Sequence, residues 1–203
     1  MRLGCFGKAL QLEEIARAGF DCAELDICEI VGMSEMEFAE FRRRAEAAGL
    51  SLEVFSGLIP LSVRIYDKGF DKEYWLDHIR AGADRVSALG GKAVPFGAGK
   101  CRSIPKDCDD PGRCEEKLLS FVRGICEILQ ACGICLLIEP LGPANSNYLN
   151  RIEEAYEFAG RVGYVNCGIM CDLRHMVKNQ EPMSQIIRFR KEIQHAHIAV
   201  SYT

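Results

Sequence analysis

Short apolar runs alternate with longer amphipathic stretches along the chain, at a spacing of roughly thirty residues. This rhythm is typical of repeated strand–helix units. Seven strands are predicted from the apolar runs, over residues 3–6, 22–27, 50–55, 92–96, 134–138, 167–171 and 193–200. Several of these runs lack polar alternation, which favours strands of a parallel sheet covered by helices.

The clearest helix start lies at Ser34, where the sequence Ser34-Glu-Met-Glu37 fits a capping box. Phe38, Phe41, Ala45 and Ala48 then fall on one helical face before Gly49. Other helices are predicted after Leu12, from about Asp71 to Gly90, over 118–129, after a cap at Asn150, and over 183–189.

Two α/β architectures fit this order of elements, a doubly wound sheet and a (β/α)8 barrel. The first predicted turn, Gly4-Cys-Phe-Gly7, lacks the glycine spacing of a dinucleotide-binding loop. The even spacing therefore favours a (β/α)8 TIM barrel, whose active site lies at the carboxyl ends of the strands. No linker or low-complexity segment interrupts the pattern, so residues 1–203 are predicted to form a single domain.

Charge and hydropathy exclude several classes of partner. The chain has 25 Lys and Arg against 29 Asp and Glu, so it offers no basic field for nucleic acid or anionic lipid. No apolar run approaches the length of a membrane span, and the N-terminus lacks the apolar segment of a signal peptide. We therefore expect a small-molecule partner, no nucleic acid and no membrane, and leave a homo-oligomer open.

Eleven cysteines are many for this length, and the odd number makes a complete set of internal disulfides impossible. Only Cys132 and Cys135 have the CxxC spacing, and a zinc ribbon built on them would lack half of its ligands. We expect most of the cysteines to be small apolar residues in a reducing compartment, which predicts a cytoplasmic protein.

Polar residues follow three consecutive predicted strands. Glu139 follows strand five, Asp172 and His175 follow strand six, and His195 and His197 lie within strand seven. Each of these residues also has a purely structural interpretation. Glu139 could be a capping or surface carboxylate, and Asp172 could be the N-cap of a turn. The two histidines could be a structural pair inside the barrel whose hydrogen bonds are satisfied. Strand ends of a barrel converge, however, and these residue types bind divalent metals, so one metal site is favoured over three coincidences.

The stretches that carry these residues also resemble a known family. They are Leu137–Leu141, Met170–Met176 and His195–Ala199, together with the earlier Gly19–Asp26 and Gly97–Pro105. In this order they are similar to the xylose isomerase-like TIM barrels of the AP endonuclease 2 superfamily, specifically the sugar phosphate isomerase/epimerase group.

The resemblance implies a divalent metal (Mn, Co, Mg or Zn) bound by Glu139, Asp172 and His197 and completed by a glutamate from the eighth strand. It implies proton transfer through an enediolate of a sugar or sugar phosphate, with Glu139 as both ligand and base. His175 would contact the sugar hydroxyls. In the loop after strand four, Arg102 is predicted to hold a substrate phosphate, with a solvated loop charge as the alternative.

Two departures from the family pattern stand out. The sequence stops at Thr203, within a few residues of His197, whereas a barrel of about 31 residues per unit needs on the order of 50 more. The expected barrel is therefore incomplete, with strands one to seven present and the last strand and its helices missing. Asn145 also stands where ketose 3-epimerases of the family tend to carry a substrate-contacting glutamate.

These departures leave three alternatives to an isomerase or epimerase. One is a non-catalytic truncated barrel that only binds ligand. Another is an endonuclease IV-like phosphodiester hydrolase, which would need more histidines on earlier strands, although none precedes His78. The third is an inosose dehydratase-like lyase, for which the Asn145 substitution leaves room.

Overall fold

A single parallel sheet of seven strands organises the computed structural model, which describes residues 2–198. The strands pair in chain order, β1 to β7, and curl into the wall of a barrel. They are β1 (Gly4–Gly7), β2 (Cys22–Asp26), β3 (Ser51–Ser56), β4 (Ala93–Phe96), β5 (Cys135–Ile138), β6 (Cys167–Asp172) and β7 (Ile193–His197). The prediction of a (β/α)8-type barrel with strands one to seven is confirmed.

Helices connect the strands and cover the outside of the sheet. They are α1 (Leu12–Arg17), α2 (Ile27–Val31), α3 (Glu35–Ala48), α4 (Lys72–Ala88), α5 (Pro111–Ala131), α6 (Ile152–Val162), α7 (Leu173–Lys178) and α8 (Ser184–Arg188). The capping box of α3 forms as predicted, since the Glu37 amide donates to Ser34 Oγ at 3.3 Å and the Ser34 amide donates to Glu37 Oε2 at 2.7 Å. Gly49 ends this helix in the left-handed region.

Several boundaries differ from the predicted ones. Helix α5 begins at Pro111, well before residue 118, because the side chain of Asp110 caps it. The cap of α6 lies at Arg151 rather than Asn150, and Glu154 accepts from both backbone amides. Helices α2 and α7 were not predicted. Strand β7 ends at His197, and positions 199–200 of the predicted strand lie outside the described residues.

The core lies between the sheet and the outer helices. Helix α5 contributes its whole apolar face, including Phe121 and Ile125, which are fully buried. All eleven cysteines are free thiols; Cys101, Cys126 and Cys171 are buried and the others are half-buried. Among residues 2–198, no helix is long and apolar enough to cross a membrane.

Candidate metal and sugar site

Glu139 lies immediately after β5 and is held in place through its backbone. Its amide donates to the carbonyl of Phe96, which extends the β4–β5 pairing by one residue. Its side chain is only 11% exposed, although it carries a carboxylate. Oε1 lies 3.2 Å from Nδ1 of His197. The carboxyl end of β5 therefore directs a buried carboxylate towards β7.

Asp172 combines a structural and a chemical role. It ends β6 and caps α7, because its Oδ1 accepts from the amide of His175 at 3.1 Å. The second oxygen, Oδ2, lies 3.8 Å from Nδ1 of His197. The N-cap interpretation of Asp172 is correct, yet the cap uses one oxygen and leaves the other facing the barrel mouth.

His197 lies at the end of β7, opposite Asp172 in the β6–β7 register. Its Nδ1 faces both Glu139 and Asp172, so two carboxylate oxygens and one imidazole nitrogen converge on one point. Oxygen and nitrogen donors of this kind suit borderline and hard divalent metals. The residues predicted as metal ligands are therefore adjacent, and their chemistry fits a divalent cation.

His175 lies in the first half of α7 and also reaches this cluster. Potential ligand atoms of Glu139, Asp172 and His175 lie within 4.8 Å of one another. The imidazole is buried, and within residues 2–198 its Nδ1 has no hydrogen-bond partner. A buried ring nitrogen without a partner is unfavourable, and a hydrogen bond from a polar ligand would satisfy it.

Glu24, in the middle of β2, joins the site from the opposite side of the barrel mouth. Its Oε2 lies 3.0 Å from Nε2 of His197 and 3.2 Å from Nε2 of His195. From its place in the sequence, near a strand end, Glu24 is a weaker site candidate than Glu139 or Asp172. The signal that favours it is a charged residue in the middle of a buried strand, which is rare unless the charge is paired.

The charges of this cluster depend on each other. Burial alone would raise the pKa of Glu24, but hydrogen bonds from His195 and His197 outweigh it and lower the pKa to about 2. Burial alone would lower the pKa of His197, but Glu139 and Glu24 outweigh it and raise the pKa to about 10. Without a bound cation, His197 is the positive charge that compensates these carboxylates.

Arg102 requires a correction. Its guanidinium is fully buried, and it donates to the carbonyls of Phe96 at 3.1 Å, Glu139 at 2.7 Å and Leu149 at 3.1 Å. Burial lowers its pKa to about 10, so it stays charged at neutral pH. The predicted contact with a substrate phosphate does not fit this placement, because the buried guanidinium already donates its hydrogen bonds to backbone carbonyls. Arg102 instead fixes the backbone around Glu139.

Asn145 is exposed in the loop after β5. It lines a cleft of about 570 Å³ between the loops that follow β3, β4 and β5, together with Lys100. None of Glu139, Asp172, His175 or His197 lines this cleft.

Comparison with known proteins agrees with the barrel fold. The chain is 23% identical over 190 residues to a D-psicose 3-epimerase from Ruminiclostridium cellulolyticum, covering 87% of this chain and 61% of that protein. The chain thus spans less than two thirds of the length of this relative.

Solved structures share the fold at low identity. A D-psicose 3-epimerase crystallised in the presence of D-fructose superposes with a TM-score of 0.84 at 21% identity, over 98% of this chain and 73% of the other. A 3-keto-D-glucoside 4-epimerase from E. coli gives 0.81 at 19% identity, over 98% and 79%. An AP endonuclease family 2 protein from Brucella melitensis gives 0.75 at 18% identity, over 98% and 80%.

The family assignment comes from the sequence itself, since the sequence profile of the xylose isomerase-like TIM barrels matches residues 12–203. The order of the strands agrees with that match. This chain therefore belongs to the xylose isomerase-like TIM barrel family.

Proposed function

We propose that this protein is a metal-dependent isomerase or epimerase of a sugar or sugar phosphate. One observation carries the proposal: Glu139 Oε1 and Asp172 Oδ2 both face Nδ1 of His197, at 3.2 and 3.8 Å, at the carboxyl ends of three adjacent strands. The sugar epimerases among the relatives support the same chemistry.

In this proposal Glu139, Asp172 and His197 hold the divalent cation. A bound divalent cation stabilises negative charge on the substrate oxygens next to the carbon that loses its proton. A carboxylate that binds through one oxygen keeps a second oxygen for a proton, so Glu139 is also the general base. Burial of Glu139 and Asp172 keeps water from competing for these groups.

The remaining site residues orient the sugar and the base. His175, whose buried Nδ1 has no hydrogen-bond partner in the described part of the chain, is proposed to contact a sugar hydroxyl. Arg102 holds the carbonyl of Glu139 itself, which fixes the backbone from which the base projects. The proton removed from the substrate carbon gives an enediolate. Return of a proton to the opposite face of that carbon completes an epimerisation, and return to the neighbouring carbon completes an isomerisation.

Chelation and reconstitution test the proposal. The full chain is incubated with D-fructose, D-psicose, D-tagatose and ketose phosphates, and the products are separated by chromatography. Turnover is expected with Mn²⁺, Co²⁺ or Mg²⁺ and not after chelation. Asp172→Asn is expected to abolish it, while Asp77→Asn, which removes an exposed carboxylate on α4, leaves it unchanged. Turnover that survives chelation would contradict the metal assignment, and cleavage of abasic-site DNA without sugar turnover would replace the proposal by a hydrolase.

A further inference from the structure

The contact between Glu24 and two histidines is the feature that the proposed proton transfer does not use. Glu24 is 7% exposed, and both imidazoles contact the same oxygen, Oε2. His195 and His197 are two positions apart on β7, so their side chains share one face of the strand, the inner face of the sheet. Their rings meet edge to face, with centroids 5.0 Å apart. Glu24 thus joins β2 to β7 across the barrel mouth.

The two ring nitrogens of His197 face different groups. Nδ1 lies 3.2 Å from Glu139, in the proposed metal site, and Nε2 lies 3.0 Å from Glu24. Oε2 of Glu24 is a carboxylate oxygen within hydrogen-bond distance of Nε2, so it is the acceptor and the imidazole supplies the proton between them. A neutral His197 with its proton on Nε2 has its lone pair on Nδ1.

We propose that Glu24 is a positioning residue that holds His197 with the proton on Nε2 and Nδ1 directed towards the cation. His195 is the second donor to Glu24 Oε2 and keeps that carboxylate oriented. Carboxylates that accept from the remote nitrogen of a metal-bound histidine fix the ring and raise its basicity. The inference rests on the metal site of the proposed function.

A second cation at Glu24, His195 and His197 is the competing interpretation, because donor atoms of these three residues also lie within 4.8 Å of one another. Such an ion would need Nε2 of His197 while the first ion uses Nδ1. The imidazole would then have to lose both of its ring protons. Two hydrogen bonds to Glu24 require no such step, so the geometry favours the positioning role.

The test compares Glu24→Gln with Glu53→Gln, which changes a glutamate of the neighbouring strand β3 that pairs with Arg2 and Lys92 instead. Free Mn²⁺ is titrated by electron paramagnetic resonance. Glu24→Gln is expected to weaken Mn²⁺ binding by about 10- to 100-fold, whereas Glu53→Gln leaves it unchanged. Wild type is expected to bind one ion per chain. Circular dichroism establishes that both variants are folded.

A second readout uses the wild-type chain, so it does not depend on the folding of a variant. Proton–nitrogen NMR of ¹⁵N-labelled histidine is expected to show a slowly exchanging Nε2–H signal for His197. This signal should be present both without metal and with Zn²⁺ bound, and it should be lost in Glu24→Gln. The NMR signal reports the contact itself, and the Mn²⁺ titration reports its effect on the cation.

Three results would overturn the inference. The first is a folded Glu24→Gln chain that binds Mn²⁺ as tightly as wild type does, and the second is a wild-type His197 without a protected Nε2–H. The third is a wild-type chain that binds two ions tightly and a Glu24→Gln chain that binds one. Failure of the proposed function looks different. In that case wild type binds no Mn²⁺, while the Nε2–H signal of the metal-free chain still decides whether Glu24 holds His197.

Discussion

Gly97 directly follows β4 and packs against the carboxylate of Glu139. A methyl group at this position would overlap Oε2 of Glu139 and would lie 3.3 Å from its Cδ and 3.4 Å from Cδ2 of Leu141. Gly97 is not among the residues with positive φ, so alanine fits the backbone here. The substitution Gly97→Ala therefore displaces the carboxylate without straining the chain.

The size of the effect follows from that overlap. To restore an ordinary van der Waals separation, Oε2 has to move by about 1 Å. Misplacement of a catalytic group by this amount costs on the order of 100-fold in rate. Stability should change little in comparison, because the moving group is a side chain at the barrel mouth and not a core residue. We expect turnover to fall by about 100-fold and Mn²⁺ binding to weaken in Gly97→Ala.

The assay is ketose turnover at saturating Mn²⁺, with Mn²⁺ affinity and urea unfolding measured on the same preparations. Gly160→Ala is the matched control, since no atom of the described residues lies within 4 Å of a methyl group there and the position is inside α6. It should keep full turnover and gain up to about 1 kcal/mol of stability from helix propensity. If the Gly97→Ala chain turned over ketose as fast as wild type does, the placement of Glu139 as the base would be refuted.

Three further predictions concern stability, each measured by urea unfolding. Arg102→Met removes the side-chain donor from three buried carbonyls, of which Phe96 and Leu149 still accept from backbone amides, and should cost about 1–3 kcal/mol; a loss below about 0.5 kcal/mol contradicts its role. Ser34→Ala removes the capping box of α3 and should cost about 1 kcal/mol, whereas an unchanged midpoint contradicts the cap. Burial raises the pKa of Glu181, so its favourable contribution is full below its ordinary pKa and is lost as pH rises through the folded pKa. Glu181→Gln should therefore gain stability relative to wild type as pH rises above the ordinary carboxyl pKa of 4.5, and a constant difference would contradict this.

Much of the fold followed from the sequence because parallel strands buried on both faces leave uninterrupted apolar runs. Strand β5, for example, lies within the apolar run 134–138 and ends one residue before Glu139. Helices α2 and α7 were missed because each is short and begins at the residue directly after a strand, at Ile27 and Leu173, so no loop separates it from the apolar run. Each is started instead by an aspartate that closes the preceding strand, a purely local signal.

The site could be predicted only where its residues follow strand ends. Glu139, Asp172 and His197 fall at such positions, so the barrel architecture brings them together. Glu24 and Arg102 depend on long-range contacts that no spacing reveals. Glu24 meets histidines more than 170 positions away, and Arg102 turns inward to carbonyls instead of outward to a substrate.

Proton exchange at the substrate carbon tests the proposed chemistry most directly. The Mn²⁺-loaded chain is incubated with D-fructose in D₂O, and deuterium in the recovered sugar is measured by mass spectrometry. The proposed function predicts that wild type incorporates solvent deuterium into the sugar and that Glu139→Gln does not. The control is Glu153→Gln, which removes a carboxylate paired with Arg188 and should incorporate deuterium as wild type does. If a folded Glu139→Gln chain incorporated as much deuterium as wild type does, the assignment of Glu139 as the base would be contradicted.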